Sequence, residues 1–391
     1  MRAVLAPLLA ILLVGCMFSA YGAKLGRSHF PRHVAEWRKE AREQAADYYS
    51  NRARTNDDVV TILSGNRDGD SLGIVYDLSE VLDNGDNLRV LPISGEGSAQ
   101  NVRDILLLRG IDMGITHSNI LNHYAKTGEL GDVKDDIAYI TKLFNEEMHV
   151  LARSDVKDLT DLRGQAVNFG EVGSGTQLTA ELVFQALGLG VKEVNMGQAD
   201  AVTAIKDGRI AATILVTGKP STFIASLKPS DGLKFVSISY TAPLFSDYYP
   251  AQLDHSDYPN LIGDGQRVET IANCAVLVAF NWPHDTERYE RVAKFVDAFF
   301  NHFDDFRKPP RRAKWQEVNF AATLEGWKRF PAAQAWIDAA RSRDSAQDTT
   351  EKDFDRFLDE SRGKDLALQS DADREALFRA FVKWKASQAE H

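Results

Sequence analysis

A chain of 391 residues is long enough for two lobes of ordinary domain size, and its 44% hydrophobic content can fill a core in each. The formal charge of −10 argues against a general nucleic-acid binder, which carries the opposite balance, but leaves the local sign of a ligand pocket open. There is no low-complexity tract, so disorder over most of the chain is excluded.

The first predicted element is an export signal. Arg2 is a short positive start, residues 3–14 are apolar apart from Pro7, and small and polar residues follow. This predicts a secretory signal peptide over residues 1–23, too short to cross a bilayer, which takes about 20 apolar residues. Two processing readings stay open. Leu13-Val14-Gly15-Cys16 resembles a bacterial lipobox in which Cys16 is lipidated, and the other reading is ordinary cleavage near Gly22 or Ala23. The expected location is periplasmic or otherwise extracytoplasmic, with membrane contact only through such an N-terminal lipid anchor.

Residues 24–56 read as an N-terminal helical segment, with Val34, Trp37, Ala41 and Ala45 on one face. Strands and helices then alternate: strands at 59–63, 88–93 and 111–115, helices at 71–82, 99–108 and 119–124. This alternation predicts α/β architecture with a parallel sheet. In open α/β sheets, ligands bind beyond the carboxyl ends of the strands. The turns at 64–71, 94–98 and 116–119 should therefore crowd one edge. Two strand-like runs follow at 138–143 and 148–153, then a short helix at 156–162. A second cycle runs through a strand at 166–169, a helix from Thr176 to Leu187, a short strand at 194–196, a helix at 199–206 and a strand at 211–216 ending in Thr217-Gly218-Lys219-Pro220. Strands at 235–238 and 271–279 complete the sheets. Cys274 lies in the last of these as a lone small core residue, so no structural disulfide is expected. Val292, Phe295, Val296, Phe299, Phe300 and Phe303 recur at helical spacing, and this stripe is core. Residues 341–391 read as a helical C-terminal extension. The expected domains are lobe 1 over 57–147 and 272–340 and lobe 2 over 148–271.

The sharpest motif is Gly170-Glu171-Val172-Gly173-Ser174-Gly175-Thr176. Its glycines allow close backbone approach to a ligand, and Ser174 and Thr176 supply hydroxyls. The helix that follows turns free N–H groups and a positive dipole end toward the turn, which favours an anion. The plainer reading is a tight turn with Thr176 as the helix cap. The loop is not a Walker A motif, because Thr176 stands where Lys is required. It is not a nucleophile elbow, because Val172 replaces the first glycine. No metal-ligand spacing, cofactor fingerprint or catalytic constellation is present, so neither an enzyme nor a cofactor is expected. In the first turn, Asn66, Arg67 and Ser71 face the expected ligand edge. Arg67 offers a planar fork for a carboxylate, or pairs locally with Asp68 or Asp70. His117, Gly173, Thr217 and Lys219 lie on the same set of turns and are counted as ligand candidates.

The order of these loops from about Val59 to Ala340 resembles the TAXI-type solute receptors of TRAP transporters, a branch of the type II periplasmic binding proteins. The resemblance rests on residues 169–180 with the Gly-Glu-x-Gly-Ser-Gly-Thr helix start. It also rests on Ala204-Ile205-Lys206-Asp207-Gly208, on Ser94-Gly95-Glu96-Gly97-Ser98, and on the stretches 151–155 and 158–164. It implies two α/β lobes joined by crossing strands and closing on a carboxylate or amino acid, which is passed to TRAP-type permease subunits. Carried over by position, the ligand wall would include Ser64, Gly65, Gly97, Ser98, Ser118, Glu171, Ser174, Gly175, Thr176 and Gly218. The first loop, 66–71, departs from the family's Gly-Gly-x-Tyr pattern. The turn Thr116-His117-Ser118-Asn119 stands where the family has Gln-Ser-Asp. An alternative is a ligand-sensing module that presents its closed form to a signalling or periplasmic partner.

Overall fold

The computed structural model describes residues 32–65, 71–83, 88–343, 352 and 381. The expected signal peptide, Cys16, Asn66, Arg67 and most of the C-terminal extension lie outside the described residues. The chain divides into two compact units, one ending at Asp57 and a body beginning at Asp58. The described part of the first unit is a single helix, α1 (Arg32–Asp57).

The body is built on a ten-stranded sheet. Its first βα cycles are β1 (Val59–Ser64), α2 (Ser71–Leu82), β2 (Arg89–Ser94), α3 (Ser98–Leu107), β3 (Met113–His117) and α4 (Ser118–Thr127). β1 pairs parallel with both β2 and β3. β-branched runs such as Val59-Val60-Thr61-Ile62 suit a strand buried on both faces. Alternate residues serve opposite faces. Val60 and Ile62 pack with Ile74 and Leu78 of α2, whereas Leu63 packs with Val102 and Ile105 of α3. The helix α9 (Glu287–Asn301) returns late in the chain to complete the first of these layers, and its Val292, Phe295, Val296 and Phe299 are fully or almost fully buried.

Two long strands tie the body together. The expected runs at 138–143 and 148–153 are one continuous 17-residue strand, β4 (Ile137–Arg153). It lies antiparallel to the 14-residue β10 (Arg267–Phe280) along most of its length. The acidic pair Glu146-Glu147 lies between the two expected runs. Sheet pairing with Asn273 and Ala272 of β10 carries the backbone straight through it. The core changes there: Leu143 and Phe144 belong to the first lobe's core, and Met148 and Val150 to the second's.

The second lobe has β5 (Ala166–Asn168), α6 (Gly175–Ala186), β6 (Lys192–Val194), α7 (Gln198–Lys206) and β7 (Ala212–Thr217), with α5 (Val133–Asp136) preceding β4 in the first. β5 pairs parallel with β6 and β7, and β7 pairs antiparallel with β4. Phe184 of α6 packs against Phe169 beyond β5, with ring centroids 5.2 Å apart and the rings tilted at 56°. Ala201, Ala204 and Ile205 of α7 fill the opposite face with Leu151 and Leu215. The fold is thus a two-lobe α/β architecture with β4 and β10 as crossing strands. Two short strands extend it: Leu233–Phe235, earlier and shorter than the expected 235–238, and Tyr249–Asp254, which no alternation had marked. The expected helix at 156–162 is a 3-10 turn, Leu159–Leu162, closed by the side chain of Asp158. Beyond Trp327, the described chain is helical at 331–343. Cys274 is free and buried, and burial pushes its thiol up to about 11.

Candidate functional site

Five helices begin around one small cavity between the lobes. Ser71, Ser98, Gly175 and Gln198 line it, and they are the first residues of α2, α3, α6 and α7. His117, which precedes α4, lines it too. Three of these helices come from the first lobe and two from the second. Each follows a strand that ends at the same sheet edge, so their unbonded N–H groups and positive dipole ends face one point. The cavity is about 50 Å³, room for about four water-sized groups.

The 170–176 loop is held mostly by its own bonds. Ser174, not Thr176, caps α6, its Oγ accepting from the Gln177 N–H at 3.1 Å. Thr176 is the second residue of the helix, two past the cap position, and its Oγ1 accepts instead from the Val216 N–H at 3.0 Å. The Gly173 N–H donates to Gln177 Oε1 at 2.8 Å, and the Gly170 N–H to Asn168 Oδ1 at 3.2 Å. Across the mouth, the Gln100 N–H of the first lobe donates to the Gly173 carbonyl at 3.3 Å. Gly97 stands at φ 135°, and a Cβ built there would come within 2.9 Å of Ser174 Cα. A glycine is required at this point for the two lobes to approach so closely.

Of the expected ligand residues, Gly65, Ser71, Gly97, Ser98, His117, Glu171, Ser174, Gly175 and Thr176 come together as cavity lining. The others stand behind it or elsewhere. Ser64 donates to the Ile93 carbonyl within the sheet, and Ser118 Oγ accepts from the Cys274 N–H. Gly173 faces Glu96 and Gln100 beside the cavity. Thr217 and Gly218 are buried at the end of β7, outside the lining. Lys219 turns away: its Nζ donates to Asp257 at 2.9 Å and to the Gln252 carbonyl at 2.8 Å. An ammonium already matched to a half-buried carboxylate has little to offer a solute.

The structure adds residues that no loop motif had marked. Glu146 lines the cavity from the middle of β4, and its Oε2 lies 2.5 Å from His117 Nε2. Both side chains are 5% exposed. The signal was an acidic residue inside an otherwise apolar strand, which is costly to bury without a partner. Gln198 follows the turn after β6 and is fixed by bonds to the Ile214 carbonyl and from Thr213 Oγ1. The rule that ligands lie beyond strand ends would have reached it. Among the described lining residues, the charged ones are Glu96, Glu146 and Glu171, and none is lysine or arginine. Glu147, on the opposite face of β4, accepts from the Lys219 N–H at 3.1 Å. Burial pushes its carboxyl up to about 7, with Lys314 and Lys219 acting against the rise.

A family model described as the NMT1-like family matches residues 73–306. Solved structures show distant likeness. One described as a periplasmic transporter is 16% identical, with a TM-score of 0.44, covering 75% of this chain and 97% of its own. The periplasmic binding protein BugD is 13% identical, with a TM-score of 0.42, covering 72% and 93%. The periplasmic sulfonate-binding protein SsuA of a sulfonate ABC transporter from Methylobacillus flagellatus KT is 15% identical, with a TM-score of 0.41, covering 68% and 74%.

Proposed function

The chain belongs to the NMT1-like family, and from that premise we propose that it is an extracytoplasmic solute receptor that closes two lobes on a small anionic solute. The solute is a carboxylate or amino acid, and the closed form passes it to a TRAP-type permease, as in the TAXI branch that the sequence resembles. The observation that carries this reading is the meeting of five helix N-termini, drawn from both lobes, on one cavity between the lobes. Such ends supply hydrogen-bond donors and positive potential without a cationic side chain. An anion held there would join the lobes through backbone donors on each side. Export fits the signal pattern at residues 1–23, where Cys16 is the candidate lipidation site.

Thermal-shift screening of small organic acids and amino acids tests the reading. A solute at one hundred times its dissociation constant adds about 2.7 kcal/mol of stability, enough to raise the melting temperature visibly. If no acid or amino acid raises it, the anion-receptor reading fails. Co-purification with the membrane subunits of a TRAP-type permease tests the delivery step separately.

A further inference from the structure

We propose that α1 docks the protein on a lipid surface that carries anionic phosphate headgroups. The proposal is independent of the solute reading, and the contact is additional to the lipid anchor expected at Cys16. α1 is a 26-residue helix in the unit that ends at Asp57. Its side chains are sorted around the axis. Trp37, Ala41, Ala45 and Tyr48 recur at steps of four and three residues, which stacks them in one row. Arg38, Arg42 and Tyr49 form the row beside it. Glu36, Glu40, Glu43 and Asp47 form a third row on the far side. The aromatic rings of the first two rows lie in solvent: Trp37 is 60% exposed, Tyr48 62% and Tyr49 63%. Tyr48 and Tyr49 meet edge to face, with centroids 5.5 Å apart. Scattered exposed aromatics need no explanation, but three on one side of a single helix do. Among the described residues, Lys39 pairs with Glu43 at 3.7 Å on the acidic side, whereas Arg38 and Arg42 have no carboxylate partner.

The chemistry of these rows decides the occupant. Tryptophan and tyrosine rings are apolar with a polar N–H or O–H at one edge, which suits the boundary between acyl chains and headgroups. Guanidinium groups beside the rings match phosphate oxygens with paired hydrogen bonds. The four carboxylates, which phosphate repels, are turned away. A helix divided in this way lies in the plane of the interface with its apolar side down. No described helix is long and apolar enough to cross a membrane, so the contact is with the surface. A second copy of α1 is a poorer match. A helix pair needs leucine, isoleucine or valine along its seam, and residues 36–50 contain none.

Fluorescence of Trp37 in the purified full chain tests this. The difference between the wild type and Trp37→Phe isolates the emission of Trp37 among the six tryptophans. Vesicles of phosphatidylcholine and phosphatidylglycerol with brominated acyl chains quench a ring that enters the headgroup boundary. The expected result is that Trp37 emission falls by at least half on these vesicles. Arg38→Gln with Arg42→Gln should return most of it, and glutamine is nearly as good a helix former as arginine, so α1 itself is kept. Glu40→Gln, on the far side, should leave the quenching in place. An N-terminal anchor holds every variant at the membrane alike and cannot produce this pattern. Absence of Trp37 quenching overturns the proposal, as does quenching that survives the double substitution or is lost equally in Glu40→Gln. Sedimentation without lipid supplies one more check. A dimer that Trp37→Ala dissolves would assign this face to a second copy and overturn the lipid contact.

Discussion

A methyl group built on Gly175 would stand 2.4 Å from His117 Cε1, closer than any real contact. The imidazole cannot swing aside freely, because its other edge is bonded to Glu146 and the ring is almost fully buried. Gly175→Ala therefore sets two effects against each other. Alanine is the better helix former by about 1 kcal/mol, while overpacking a tight site costs about 1–3 kcal/mol. The crowding should win. The variant is expected to lose about 1 kcal/mol or more in denaturant melts, with a changed imidazole spectrum. A variant as stable as the wild type would mean that the ring yields cheaply. The glycine itself was plain in the sequence as part of a loop motif. His117 was a candidate on a separate turn, but its contact with Gly175 was not legible, because the two are brought together only by the packing of α6 against the end of β3.

The crossing strand β4 decides more of the site than any loop. Glu146 and Glu147 are adjacent and so point to opposite faces, one to His117 and the other to the Lys219 N–H. In the sequence they fall in the gap between the two expected runs at 138–143 and 148–153. Sheet pairing on both sides closed that gap. Glu147 should make stability depend on pH. Its carboxyl is raised from the ordinary 4.5 to about 7, so the folded state holds a proton between those values that the unfolded state has lost. The associated stability is complete below pH 4.5 and is lost as pH rises through 7, amounting to about 3 kcal/mol. Glu147→Gln should therefore gain on the wild type as pH rises from 5 to 8, as measured by urea melts at both values. A difference that stays constant with pH would refute this. The loop 170–176 gives the opposite lesson. Its glycines and hydroxyls were legible as a helix start, but the cap is Ser174 because the helix begins one residue earlier than the apolar pattern indicated.

At the scale of the whole molecule, hydrogen bonds from α4 also join the two lobes. Asp247 of the second lobe accepts from Asn122 at 2.9 Å and from Lys126 at 2.8 Å, both on α4 of the first. Burial pushes its carboxyl up, but the bonds from Lys126, Ser246 and Asn122 outweigh this and hold it below the usual carboxylate range. Deeper in, Asn119 of α4 donates to Thr179 Oγ1 and to the Tyr248 hydroxyl and accepts from Asn273. If these bonds favour closure, Asp247→Ala should weaken it by about 1 kcal/mol. Small-angle scattering without added solute would then give a larger radius of gyration, with unchanged circular dichroism. An unchanged radius would show that the network serves folding within the closed form and does not set the balance between open and closed.

The sequence by itself determined the alternation of strands and helices, the aromatic stripe of α9 as core, and the edge at which the loops meet. These follow from apolar period and turn chemistry, which act over a few residues. It also marked the Gly-Ser-Gly-Thr helix start, because glycines permit close backbone approach and hydroxyls cap helices. Only the tertiary structure decided that β4 and β10 run unbroken from lobe to lobe, that Lys219 is committed to Asp257, and that Glu146 fixes His117 at the cavity. Those outcomes depend on partners far apart in sequence: Glu146 with His117, Lys219 with Asp257, and Ile137 with Phe280. A local pattern carries no record of which distant side chain will satisfy a buried charge.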